Sequence, residues 1–189
     1  AKKKKAYMKT SPVLWCTECQ TSIAQAELEI KECETVFNYL NFTTPIGNLL
    51  IATTRPELLA GCACIFVHPD DTRYKKFIGQ KAIVPLYDFE IPILADDTVA
   101  MDKGTGVVMC ASFGDSADVE WYQKHKLTSK EVILADGTIS EKIDFIGKMT
   151  VKKARAYIIE LLKKQNLLVK QETIHHMVAV HERCQHEVE

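Results

Sequence analysis

Apolar runs broken by turn residues dominate the chain, and most of them predict strands. Residues 49–52 form an apolar run that ends in the hydroxyls of Thr53 and Thr54, the pattern of a short buried strand. Pro56 then suits a first helical position and Glu57 a first turn. A helix of one or two turns is expected there, stopped by Gly61, with 62–67 returning as the next strand. Residues 82–86 and 90–94 predict short strands around a Tyr87-Asp88 turn. Residues 107–111 predict another buried strand, preceded by Gly104-Thr105-Gly106. Residues 24–30 alternate loosely, as a half-exposed strand does, and 35–43 is aromatic and β-prone. Residues 130–135 and 138–143 flank an Asp136-Gly137 turn and predict a hairpin. Residues 167–180 return as a strand.

Helical spacing is rarer. Residues 150–165 carry it most clearly: Val151, Ala154, Ile158, Leu161 and Leu162 share one face, with Thr150 as the cap. A shorter helix is expected over 116–124, with Asp115 as its N-cap and Asp118 about one turn on. A third, over 72–78, would be capped by Asp70 and Asp71 and ended by Gly79. Cys62, Cys64 and Cys110 fall in strand runs and read as core.

Composition narrows the class. The chain has 189 residues, 47% of them hydrophobic, and a formal net charge of -1. That suits one domain with a genuine core. Global charge does not announce nucleic acid, so such a contact would use a local patch. The lysine run at 2–5 reads as a solvated tail. No apolar run approaches the length of a membrane span and no signal-peptide pattern is present. No membrane partner and a cytoplasmic, reducing setting are therefore expected. Seven cysteines in that setting point to metal ligation rather than a disulfide framework.

The candidate chemistry falls in three places. Cys16-x-x-Cys19 and His181-x-x-Cys184 each have knuckle spacing. Together they offer three thiolates and one imidazole, a tetrahedral set suited to structural zinc; His186 competes with His181. Such a knuckle would join the two ends of the chain, as in a domain inserted into a larger protein. The second place is Thr53-Thr54-Arg55-Pro56-Glu57. A turn with free N–H groups and a fixed guanidinium favours an anion or a developing oxyanion, although an ordinary capped turn has the same residues. The third is Asp115 with Asp118, either a capping box or a pair of acceptors for an ammonium and a hydroxyl. Asp96 and Asp97 read as solvated loop residues and His68 as a satisfied loop histidine. No Ser-His-Asp or Cys-His constellation stands out.

In order, these stretches resemble the editing domain inserted into class I aminoacyl-tRNA synthetases, the valyl type in particular. The resemblance rests on residues 12–19 with 24–29, Thr53 to Glu57, Val67-His68-Pro69-Asp70-Asp71, Gly104-Thr105-Gly106 through Asp118-Val119-Glu120, and His181 to Cys184. The isoleucyl version usually has Thr-Pro-Trp in place of Arg55-Pro56-Glu57, and the leucyl version usually has Pro-Asp. Met109, Ala111 and Gly114 stand where the commoner valyl pattern has Lys, Thr and His, which is similar to the archaeal-type branch.

The resemblance implies an α+β fold: a β-barrel-like editing domain with peripheral helices and a zinc knuckle joining the chain ends. Residues 1–31 and 167–189 would form the zinc-clipped stem and 32–166 the editing core. The implied activity is post-transfer editing, hydrolysis of the ester in Thr-tRNA(Val), with no cofactor needed for the hydrolysis. Alternatives are the isoleucyl or leucyl editing domain, or a non-catalytic zinc-stapled tRNA-binding module. Implied partners are the tRNA 3′ end and the rest of the parent synthetase. By resemblance, Asp118 would meet the α-ammonium and Asp115 the threonine hydroxyl or the water. Thr53 and Thr54 would line the ester, and Arg55 would meet the terminal ribose-phosphate. Pro56, Glu57, Gly104, Thr105 and Gly106 would complete the substrate wall. The ATP-binding signatures of the parent enzyme are absent from the sequence, so an excised domain is expected.

Overall fold

The computed structural model describes Met8, residues 11–114 and residues 116–189, without the side chain of Ser116. The lysine run at 2–5 and Asp115 lie outside the described residues.

Two long strands form the spine. β3 (Leu28–Thr44) pairs antiparallel with β9 (Leu168–His181) from Leu28↔His181 to Leu40↔Leu168. These strands follow β1 (Trp15–Cys16) and β2 (Thr21–Ser22), a small hairpin around the first cysteine pair. From Asn38 onward, β3 also pairs with β4 (Gly47–Thr53) through the turn at Gly47. The sheet continues through β6 (Lys81–Ile83), β7 (Glu90–Ala95), β5 (Cys62–Val67) and β8 (Val107–Ala111). Its order is β4-β3-β6-β7-β5-β8. β5 and β7 are parallel, and the other pairs are antiparallel. β4 and β8, the two ends of this order, come into contact without pairing. The sheet therefore curls into a half-barrel with an unzipped seam.

Alternation builds the interior. Leu40 and Phe42 of β3, Leu49 and Ile51 of β4, Ile65 and Val67 of β5, and Ile91 and Ile93 of β7 share one buried cluster. α2 (Val151–Lys164) covers it with Ala154, Ile158 and Leu162, part of the face read from the sequence. A second cluster lies outside β5 and β8. There Cys64, Phe66 and Cys110 meet Trp121 and Tyr122 of α1 (Ser116–His125). The three strand cysteines are core, as expected.

Several expectations are corrected. The hairpin over 130–143 shrinks to a single bridge, Ile133↔Ile139. Asp136 does turn the chain, accepting the Thr138 N–H at 3.0 Å. Burial of Val132, Ile139, Ile143 and Ile146 then directs the segment inward as irregular chain. The strand expected from 24 begins at Leu28 instead. Before it, Gln25–Glu27 is a 3-10 turn whose Glu27 carboxylate accepts the Ala24 N–H. The helix over 72–78 reduces to a 3-10 turn, Lys75–Phe77, although Asp71 does accept the Arg73 N–H as a cap would. Thr150 occupies the N-cap of α2, but its hydroxyl makes no cap hydrogen bond.

Candidate functional site

The seam between β4 and β8 gathers most of the candidate residues. β4 ends at Thr53, whose Oγ1 accepts the Arg55 N–H at 3.1 Å and closes the turn. Pro56 then starts a 3-10 helix, Pro56–Gly61, buried along its whole length. The Arg55 guanidinium crosses the seam. Nη1 donates to the Gly114 carbonyl at 3.4 Å, Nη2 to Glu189 at 2.6 Å and Nε to Glu57 at 3.3 Å. Gly114 lies against Asp118: a Cβ there would come within 3.0 Å of Asp118 Oδ2 and 3.1 Å of Leu58 Cδ1. Thr53, Arg55, Gly114 and Asp118 thus form one continuous set. Thr54 is half-buried beside them.

Asp118 is a buried carboxylate, 6% exposed, in the first turn of α1. Its charge reaches the thiols and phenol beneath. Burial, then Cys64 and Asp118, hold the Cys62 thiol well above its ordinary range. The Cys110 thiol is also pushed far up, by its hydrogen bond with Cys64, burial and Asp118. Burial pushes the Tyr122 phenol to about 12, assisted by Cys110 and Asp118 and opposed by the Ser112 N–H.

Gly104, Thr105 and Gly106 approach the same end of β4. A Cβ on Gly104 would stand 3.2 Å from the Ala52 Cβ. Gly106 has φ +80, and a Cβ there would meet Arg73 Nη2 and the Met101 carbonyl at 2.6 Å each. Only glycine fits that gap, since a side chain would be both strained and obstructed. Asp71 holds Arg73 in a two-pronged ion pair, Arg73 donates to Met101 O, and the Tyr74 hydroxyl donates to Thr105 O at 2.8 Å. The His68-Pro69-Asp70-Asp71 stretch thus braces the glycine loop. His68 itself accepts the Asp70 N–H, a satisfied loop residue.

Glu57 has no exposed surface. Arg155 of α2 grips it with two bonds, 3.0 and 2.8 Å, and Arg55 adds a third. Glu57 thereby locks the turn to α2 from beneath, and Pro56 is buried with it.

The sequence reading missed two residues here. Arg155 follows Ala154 on the apolar side of α2, where a cation needs a buried partner; that position was its signal. Asp96 was read as solvated and is 2% exposed. Its N–H continues the ladder to Val67 O, which carries its side chain inward. There it meets His125 at 2.7 Å, Lys124 at 2.9 Å and Thr98 at 2.6 Å. Thr98 donates to Asp96 and not to His125, so the group holds no activated nucleophile. Asp97 is exposed, as expected.

The metal candidates converge at the other end of the spine. The ligand atoms of Cys16, Cys19, His181 and Cys184 all lie within 4.8 Å of one another. Cys184 Sγ stands 3.5 Å from Cys16 Sγ and 3.4 Å from His181 Nδ1. Burial raises the Cys16 thiol, but the Cys19 N–H, Cys184 and His181 outweigh it and bring it down to about 7. Cys19, bonded to Cys184, is pushed up to about 11. The four residues lie close enough to hold a metal ion. Trp15 and Glu189 exchange two backbone hydrogen bonds beside them.

The half-barrel is a known architecture. It superimposes on GlLeuRS-CP1 with a TM-score of 0.58 at 13% identity, covering 72% of this chain and 99% of that one. It also superimposes on LeuRS of Agrobacterium radiobacter K84, in a ternary complex with tRNA and LeuAMS. There the TM-score is 0.57 at 18% identity, over 78% of this chain and 20% of that one. The family model of the leucyl-tRNA synthetase editing domain matches residues 67–160. The chain belongs to the editing-domain family of the aminoacyl-tRNA synthetases.

Within that family its sequence relatives are valine–tRNA ligases. The Rickettsia typhi protein is 48% identical over 184 residues, 96% of this chain and 22% of that protein. The Methanocaldococcus jannaschii protein is 48% identical over 180 residues, 94% and 20% respectively. The Archaeoglobus fulgidus protein is 44% identical over 183 residues, 97% and 21%. The chain spans about a fifth of the length of these curated relatives.

Proposed function

We propose that the seam is a hydrolytic site for a mischarged aminoacyl-tRNA, with Thr-tRNA(Val) as substrate. The observation that supports this reading is the run of contacts from Thr53 through Arg55 and Gly114 to the buried Asp118. The kinship with valine–tRNA ligases supports the choice of amino acid. A site shaped for valine rejects threonine poorly because the two are near-isosteres, and this pair is itself the standard case of that limit. A second site that hydrogen-bonds the hydroxyl selects the other way, since bound valine would leave a buried polar group unpaired.

Asp118 receives the α-ammonium, and Asp115, three residues earlier in the sequence, receives the threonine hydroxyl or the attacking water. Thr54, whose hydroxyl makes no internal hydrogen bond among the described residues, faces the ester beside Thr53. An aminoacyl ester is already activated, so a held water and oriented donors suffice without a protein nucleophile. Gly104, Thr105 and Gly106 shape the opposite wall. Arg55 meets the terminal ribose-phosphate by exchanging Glu189 for it, while Glu57 and Pro56 keep the turn in place.

The metal is structural zinc. Tetrahedral zinc with bonds of about 2.0–2.3 Å sets its ligand atoms roughly 3.3–3.8 Å apart, and the closest pairs here already fit. Cys16, Cys19, His181 and Cys184 would hold it as a closed shell that clips the stem, residues 1–31 and 167–189, to itself. The parent synthetase and the tRNA 3′ end are the partners.

Single-turnover deacylation tests the reading. Wild-type chain is expected to release threonine from valine tRNA and to spare the valine ester. Asp118→Ala is expected to lose at least about 10²-fold in rate. An Asp118→Ala rate equal to wild type removes Asp118 from the site. The leucyl name of the matching family model favours one second reading, which preferential release of amino acids from leucine tRNA would support.

A further inference from the structure

The reading above leaves one buried, charged cluster without a role: Asp96 with His125, Lys124, Thr98 and Trp121. It lies outside the seam, at the far end of the helix that carries Asp118. α1 has 10 residues, shorter than the ~12–15 that hold a helix together in water unaided. Its place depends on what docks it. At its start the chain comes through Ser112 and Phe113, two successive non-glycine residues with φ 46 and 57, a conformation that persists only when the surroundings impose it. That loop is held partly by α1, whose Tyr122 hydroxyl accepts the Ser112 N–H at 2.9 Å and whose Tyr122 ring lies 4.7 Å from that of Phe113, and partly from outside, where Ser112 Oγ donates to the Lys130 carbonyl and Arg55 to the Gly114 carbonyl.

The other end of the helix is anchored as well. Trp121 stacks on Phe66 at 4.7 Å, and its Nε1 donates to Thr98 Oγ1 at 2.9 Å. Thr98 donates in turn to Asp96 Oδ1, and Asp96 Oδ2 takes both Lys124 and His125, the last two residues of the helix. The Lys124 ammonium at that end also suits the helix dipole. Burial would raise the Asp96 carboxyl, but His125, Thr98 and Lys124 outweigh it and hold it well below the usual range. Asp96 is thus charged wherever hydrolysis would be measured.

We propose that Asp96 is a positioning residue for Asp118. From the loop after β7 it clamps the last turn of α1, and the rigid helix carries that constraint to its first turn. This rests on the editing reading, because it gives Asp118 its reaction. Six residues of helix separate Asp118 from Lys124, about 9 Å at the α-helical rise, so a shift at the clamp reaches the carboxylate almost undiminished.

The experiment measures steady-state hydrolysis of Thr-charged valine tRNA by Asp96→Asn and by Thr98→Val, each alone and combined with Asp118→Ala. Asp96→Asn keeps the shape and removes the charge. Expected is a fall in kcat on the order of 10- to 100-fold, with KM within about twofold of wild type. In the Asp118→Ala background either change is expected to add almost nothing, since both act through the same carboxylate. Thermal melts fix the folded fraction to which rates are normalised. If Asp96→Asn does not fold, Thr98→Val decides alone. An unchanged kcat, a loss confined to KM, or a full further loss in the Asp118→Ala background overturns the inference while leaving the editing reading intact. A wild-type chain inert toward every charged tRNA overturns both.

Discussion

A single missing methyl group governs the glycine loop that leads into β8. At Gly106 a Cβ would stand 2.6 Å from both Arg73 Nη2 and Met101 O, on a backbone at φ +80. Gly106→Ala is expected to cost about 2 kcal/mol in chemical denaturation, through the left-handed backbone and through displacement of Arg73 from Asp71. Gly47→Ala shares the positive φ but meets nothing within 4 Å, so it should cost less. Equal losses would show that strain alone decides. Legibility at this scale was uneven. The glycine loop, the cysteine pairs and Asp118 announced themselves by spacing. Asp96 did not, because adjacent aspartates after a strand look alike in sequence. Only the ladder bond to Val67 turns one inward while Asp97 stays in solvent. Asp115 lies outside the described residues, so its part in the site stays a proposal.

Among elements, the strand-turn-helix unit 47–61 was legible because each residue favours its place: a buried strand, a hydroxyl that closes the turn, proline, then glycine. The element that secures it was not. α2 was read as packing alone, yet Arg155 reaches from it to a Glu57 with no exposed surface. Arg155→Met is expected to destabilise the chain by about 3 kcal/mol, because it leaves a buried carboxylate short of partners. Replacing Glu57→Leu and Arg155→Met together should cost less than Arg155→Met alone, measured by urea unfolding. A double variant weaker than the sum of the singles would contradict this account. The hairpin expected over 130–143 is short for a related reason. A turn signal fixes the turn, but core contacts of Val132, Ile139 and Ile146 decide whether the arms pair.

Across the whole molecule, the strands were readable and their order was not. Nothing local marks β5 and β7 as parallel neighbours, since periodicity reports which face is buried and not which strand lies alongside. The joining of the two cysteine motifs was readable, because ligand spacing is a local feature with a long-range consequence. Chelation with a strong zinc ligand is expected to lower the melting temperature, and added Zn²⁺ to restore it. Metal at a thousandfold excess over its Kd contributes about 4 kcal/mol. A melt indifferent to chelator would mean that the four ligands hold no ion that matters to folding. No helix of the described residues is long and apolar enough to cross a membrane.

The contact between β4 and β8 carries no backbone ladder, so the width of the gap they border is set by side chains and not by hydrogen-bond register. Exchanging one side chain along that contact changes the spacing of the two strands in steps of a methyl group while every strand pairing survives. A scaffold built this way can change the distance between two strands by single substitutions, without any new pairing or refolding.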